Sequence, residues 1–322
     1  MLPAMSHPID VVFDPAAAHP ETVVLRAAVT AGDWPGCRAV LDSVAPMART
    51  GLIRLVGGAP DIEDFLREVL RADPSDGTAS ALLGQHLLHI GWTIRAETRA
   101  WYEDDDRPTR FRDQMCRAER VLIDGAVFNP VDPAIWSARL VSARGLGLGP
   151  AETRRRYDRL TVADPDHLPG QFDMARSLSP EWGGTWELMH EFAREAVAAA
   201  PSGGAHGALV AAAHLDHGLD KSVYGQSTAE TLTGYLSKEQ VRAEIHQAAE
   251  RSVGHPGFTR GHGWLEALNT FALCFTLLGD QQAAAAAFER MDGLAVEEPW
   301  SHLGDAATEF GKARDRALGG DR

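Results

Sequence analysis

The chain has 322 residues, 44% hydrophobic and 24% charged, the mix of a globular protein long enough to bury a sizeable core. Its 31 Lys and Arg face 45 Asp and Glu, and the formal net charge of −14 argues against nucleic acid or an anionic membrane as the main partner. Cys37, Cys116 and Cys274 are far apart without CxxC spacing, which excludes a disulfide framework or zinc ribbon and suits a reducing compartment.

No run approaches the roughly 18 apolar residues of a membrane span. The first residues lack a basic stretch followed by an apolar run, so no signal peptide is expected and the expected location is the cytoplasm. Residues 1–18 carry three prolines and no period, and read as a loose lead-in to a single helical-repeat domain over 19–322.

In chain order, 21–32 predicts a helix with Val23, Val24, Ala27 and Ala28 inward. Asp33 then caps a second helix, with Pro35 just inside it. Residues 47–59 are ambiguous, since GLIRLVG reads also as a short strand, though one without a pairing partner. From Asp61 the pattern is regular. Helices are predicted over 61–71, 77–98, 108–128, 133–145, 150–163 and 169–178, then over 238–253, 262–278, 280–294 and 301–318.

Between those two series lies the richest stretch, 179–217. Gly183 and Gly184 suit a tight entry, and Thr185 can cap a helix that buries Trp186, Met189, Phe192, Ala193, Ala196 and Val197. Pro201 ends it. A second helix over 205–218, mostly Ala, Leu and Val, is expected to be buried on two sides.

Helix-ending prolines fall at 74, 130, 165, 201, 256 and 299, so two consecutive spacings are 35 and 36 residues. The period of tetratricopeptide helix hairpins is about 34. Residues 267–290, ALNTFALCFTLLGDQQAAAAAFER, resemble one such unit, with Gly279 at the turn and Ala283, Ala287 and Phe288 in the second helix. LIDGAVFNPVDP and YDRLTVADPDH are similar to the closing halves of others. The run Pro180-Glu-Trp-Gly-Gly-Thr185, with Met189 and Phe192-Ala-Arg194 after it, resembles a family of actinobacterial tetratricopeptide-like proteins marked by a Trp-Gly-Gly-Ser/Thr turn. The resemblance implies an all-α fold, a right-handed stack of helical hairpins forming a tetratricopeptide-like α-solenoid, and carries no activity with it.

Stacked hairpins bind on their concave side. The leading expectation is therefore a non-catalytic scaffold holding a protein or peptide, with Trp92, Trp182, Trp186, His190, Arg194, His214 and Tyr224 as binding residues and no cofactor. Trp136 and Trp264 stand with these tryptophans in or at the start of first helices, and most of the five are expected in the core, with one or two lining the groove or a pocket. The alternative is an enzyme of small-molecule metabolism with a pocket around 180–217 and Glu187 and His190 as its catalytic pair. Glu187-x-x-His190 and His214-x-x-His217 each place two ligand types on one helix face, so these four residues are the metal-binding alternative. Glu103-Asp-Asp-Asp106 reads as a helix N-terminus, and Gly145-Leu-Gly-Leu-Gly149 as a loop between helices. The insertions 93–107 and 219–237 are taken as loops, functional or plain spacers.

Overall fold

In the computed structural model, residues 11–97, 106–221 and 227–319 are described. Tyr224 and Glu103–Asp105 lie outside them. The described residues form 17 α-helices and three short 3-10 turns, with no β-strand. The chain divides into two compact units, residues 19–196 and residues 1–18 with 197–322.

The 19–196 unit begins with α1 (Pro15–Ala18) left behind in the other unit and α2 (Glu21–Ala31) as its first helix. The expected inward face of α2 is corrected: Thr22, Leu25, Ala28 and Val29 are buried, whereas Val23 and Val24 are each 59% exposed. Leu25, Ala28 and Val29 form the tighter three-and-four stripe, and only one face of a helix this short meets the core. Asp33 caps α3 (Trp34–Leu41) by accepting from the Gly36 N–H, as its position before Pro35 predicts. The ambiguous run is a helix, α4 (Pro46–Val56). It buries Leu52, Ile53 and Val56 together and sends Arg49 and Arg54 to carboxylates on other helices, a division that strand alternation would not produce.

Helices α5 (Glu63–Ala72), α6 (Gly77–Glu97), α7 (Arg107–Phe128), α8 (Pro133–Leu146), α9 (Pro150–Ala163) and α10 (Leu168–Ser177) follow close to their expected bounds. The long pair α6 and α7 packs at very short range. A Cβ on Gly84 would stand 2.4 Å from a Leu122 methyl, so only glycine admits that approach. Helix α8 is the centre of the unit. Every residue from Pro133 to Ala143 is buried, and α8 packs against α4, α6, α7, α9 and α10.

A helix enclosed in this way must satisfy its polar side chains internally. Glu119 of α7 accepts from Arg139 of α8 (2.9 Å), from Arg156 of α9 (2.9 Å) and from Ser142. Arg156, 3% exposed, also donates to Glu152 and to the Arg139 carbonyl. Arg49 bridges Asp132 and Thr78, and Arg54 bridges Ser137 and Asp173.

The other unit is centred on α15 (Trp264–Leu278), the expected repeat-like helix, followed through Gly279 by α16 (Gln281–Met291). Helix α11 (Trp186–Ala199) spans the division between the units. After it, α12 (Ala208–Asp220), α13 (Thr228–Leu236) and α14 (Glu239–Arg251) pack against α15, as do α16 and α17 (Ala306–Leu318). Helix α12 buries Ala208–Ala211, Ala213–Leu215 and Gly218, as its small residues foretell. Arg251 closes the end of α11 by donating to the carbonyls of Val197, Ala198 and Ala200. Residues 11–18 are held in this unit: Val12 exchanges backbone hydrogen bonds with Gly293 and Ala295, and Phe13 meets the Phe310 ring edge-on.

Candidate functional site

Two side-chain clusters stand apart from the ordinary core, one in each unit. The first is built in the 19–196 unit around two of the tryptophans that the sequence singles out. Trp92 sits near the end of α6. Trp182 ends a 3-10 turn, Pro180–Trp182, that leads toward α11. The Trp-Gly-Gly motif explains its placement. Gly183 has φ 87°, and a Cβ on Gly184 would lie 2.0 Å from the Leu178 carbonyl oxygen, so neither position accepts a side chain and the chain doubles back immediately after the indole. Thr185 then caps α11, accepting from the Leu188 N–H.

Trp92 and Trp182 meet edge-to-face with ring centroids 5.8 Å apart, and Phe111 of α7 meets Trp92 at 5.3 Å. Two guanidiniums stand against these rings. Arg95 lies 4.9 Å from the Trp182 centroid, and Arg144 of α8 lies 5.4 Å from Trp92 and 5.8 Å from Trp182. Arg95 is a rim residue, 46% exposed, and has Glu181 at 3.7 Å. Arg144 is the buried member, its side chain 9% exposed, with the Asp173 carboxylate at 3.6 Å. Asp173 is held on α10, whose start is capped by His167 accepting from the Gly170 N–H.

The hydrogen bonding of this cluster is incomplete. The Trp92 Nε1, Trp182 Nε1 and Arg144 Nε atoms are buried without a hydrogen-bond partner among the described residues. All three are donors only. Burial pushes the Arg144 pKa down from its ordinary value, Asp173 opposes the shift, and the Arg176 and Arg54 charges add to it.

The second cluster belongs to the other unit and is a chain of four side chains. The His214 Nε2 atom is 3.2 Å from Glu244, His214 Nδ1 is 3.1 Å from the Tyr235 hydroxyl, and that hydroxyl is 2.8 Å from His217 Nδ1. Helix α12 supplies both imidazoles, one turn apart; α13 supplies Tyr235 and α14 supplies Glu244. His214 and Tyr235 are buried. Burial, aided by the Glu244 charge, pushes the Tyr235 phenol up to about 12, so it acts as a neutral hydrogen-bonding group near neutrality. Lys238 and Lys221 stand over its ring at 5.1 and 5.9 Å.

The remaining expected site residues are distributed otherwise. Trp186 and His190 are half-buried on α11, and Glu187 and Arg194 are exposed on the same helix. Among the described residues, no group of three or more His, Cys, Asp or Glu side chains is placed to hold a metal ion, so Glu187, His190, His214 and His217 do not assemble as one. Trp136 donates to the Pro130 carbonyl and is buried, and Trp264 is 2% exposed, so both are core residues. Cys37 and Cys274 are buried thiols, pushed by burial to about 11 and about 12, and carry no nucleophilic chemistry near neutrality.

Sequence reasoning missed Arg95, Phe111, Arg144, Tyr235 and Glu244. Arg95 and Trp92 share a helix face at i, i+3, the one local signal available. The others meet their partners only through tertiary packing. Open grooves lie elsewhere among the described residues. One of about 290 Å³ between α5, α6 and α7 is lined by Arg67, Leu70, Arg71, Pro74, Ser80, Leu83, Val121 and Asp124. One of about 100 Å³ lies between α15, α16 and α17. No family model matches the chain, and no curated protein matches it.

Proposed function

We propose that the protein is a cytoplasmic, tetratricopeptide-like helical-repeat protein that binds a protein or peptide partner, and that Trp92, Trp182, Arg95 and Arg144 form the centre of its binding surface. The observation that carries this reading is the convergence of two indoles and two guanidiniums from three separate places in the 19–196 unit. Trp and Arg are the residues in which binding energy concentrates at protein interfaces, because they desolvate large areas while offering directed donors. Trp34, Trp136 and Trp300 in the same chain have their indole N–H groups paired, whereas those of Trp92 and Trp182 have no partner among the described residues. The helical hairpins and the Trp-Gly-Gly turn support the family likeness, and among the described residues no helix is long and apolar enough to cross a membrane.

A second reading, an enzyme of small-molecule metabolism, is favoured by the Glu244–His214–Tyr235–His217 chain, whose hydrogen bonds can pass a proton along one line. The two readings separate in native mass spectrometry of the protein purified from its own host. A co-purifying polypeptide that is lost in Trp182→Ala supports the binding protein. A stoichiometric small molecule that survives Trp182→Ala and is lost in His214→Ala supports the enzyme.

A further inference from the structure

The three atoms of the tryptophan–arginine cluster without a partner among the described residues can all give a hydrogen bond, and none can accept one. Whatever completes the cluster must therefore be an acceptor. The local charge points the same way. Arg54, Arg95, Arg144 and Arg176 gather here against Asp173 and Glu181, an excess of cations in a chain whose net charge is −14. Arg54 and Arg144 share the one carboxylate of Asp173, so the buried guanidinium is only partly compensated.

We infer that this cluster is an oxyanion site, and that it takes a carboxylate of an acidic side chain presented by the partner peptide. This rests on the partner-binding reading above and names the chemistry of what is bound. A carboxylate suits the site better than a phosphate. It carries a single negative charge, matching Arg144, the one buried guanidinium among the four. Its two oxygens have about four lone-pair sites, enough for two indole N–H groups and one guanidinium N–H. The walls are the rings of Trp92, Phe111 and Trp182, which would desolvate a dianion at greater cost. Arg95, on the rim, draws the acidic segment in, and Arg144 holds the carboxylate.

The test reads the indole N–H groups directly. The chain has 8 Trp, and in nitrogen-labelled full-length protein each gives one indole N–H resonance. Trp92→Phe and Trp182→Phe assign the two that matter and remove the donors while keeping aromatic rings in place. In a titration with sodium acetate, the Trp92 and Trp182 resonances are expected to move saturably while the other indoles stay still. Arg144→Met should weaken acetate about tenfold or more, the loss expected for a hydrogen bond to a charged group. A Glu-containing peptide should displace acetate, and its Gln counterpart should not.

The assignment is overturned if sodium chloride at equal ionic strength moves the same two resonances equally. It is overturned also if inorganic phosphate competes and the Glu peptide does not, or if Arg144→Met, folded by circular dichroism, binds acetate unchanged. Failure here is distinct from failure of the binding reading. A polypeptide that co-purifies and is lost in Trp182→Ala would keep that reading even if no carboxylate enters the cluster.

Discussion

The cluster around Arg144 and the cluster around Tyr235 bury similar amounts of polar chemistry in different ways. Around Tyr235, donors and acceptors alternate: carboxylate, imidazole, phenol and imidazole, each within 3.2 Å of the next. Around Arg144 the polar atoms are almost all donors, and three of them have no acceptor among the described residues. The first arrangement ties α12, α13 and α14 together. The second leaves three buried donors without an acceptor among the described residues, each with a desolvation cost. The Glu119 network, in the same unit as Arg144, shows that guanidinium burial here can be matched, because Arg156 pairs with a second carboxylate, Glu152, beside the Glu119 that it shares with Arg139. The difference lies in the supply of acceptors.

Removing an acceptor from the matched network should therefore have the largest effect. Glu119→Ala leaves the buried Arg139 without its carboxylate and Arg156 with Glu152 alone, and the expected loss of stability is about 3–5 kcal/mol. Urea unfolding should show a lower midpoint, and Glu119→Gln, which keeps one acceptor oxygen, should lose less. Next comes Tyr235→Phe. It keeps the ring and takes the hydroxyl from between His214 and His217, for an expected cost of about 1–3 kcal/mol by the same measurement. A Tyr235→Phe protein as stable as the parent would show that the hydroxyl links nothing that matters.

Helix bounds were legible because the chain marks them locally. Asp33, Asp132 and Asp280 each cap the helix that follows, and prolines sit in the first turn where sequence rules place them. What was missed has a physical reason in each case. Helix α13 lies inside a Ser/Thr-rich stretch taken for a loop, yet Ser227 caps it and Leu232 and Leu236 bury one face at i, i+4. The tryptophans were legible as binding candidates because aromatic residues stand out in composition. Arg144 was not, because an arginine near a helix end is normally solvated, and only the enclosure of α8 buries this one. Glu244 likewise reads as one of many surface carboxylates until α12 brings His214 to it.

Smaller effects test the electrostatics. Hydrogen bonds from Arg155, against the effect of burial and with help from Arg156, hold the Glu152 carboxyl down at about 2. Its folded value lies below the ordinary 4.5, so its contribution is fully present above about pH 4.5 and is lost as pH falls toward 2. Solvent screening keeps it under about 1 kcal/mol. Glu152→Gln should therefore lower stability in the neutral region by that amount, leave it unchanged near pH 2, and so flatten the profile between pH 4.5 and 2.

The smallest expected effect separates the two clusters most cleanly. Trp92→Phe and Trp300→Phe delete the same atoms. The Trp300 indole is fully buried and donates to Asn269 at 2.9 Å, so its loss removes a made hydrogen bond, leaves an acceptor stranded and opens space in a closed core. That should cost at least about 2 kcal/mol. The Trp92 indole is half-buried and its N–H has no partner among the described residues, so Trp92→Phe removes an uncompensated donor along with some packing. The two contributions oppose each other, and the expected change is below about 1 kcal/mol in either direction. A loss from Trp92→Phe as large as that from Trp300→Phe would mean that this N–H is already satisfied in the free protein. The donors of the cluster would then be structural, and its claim to hold a partner would rest on the rings and on Arg95 alone.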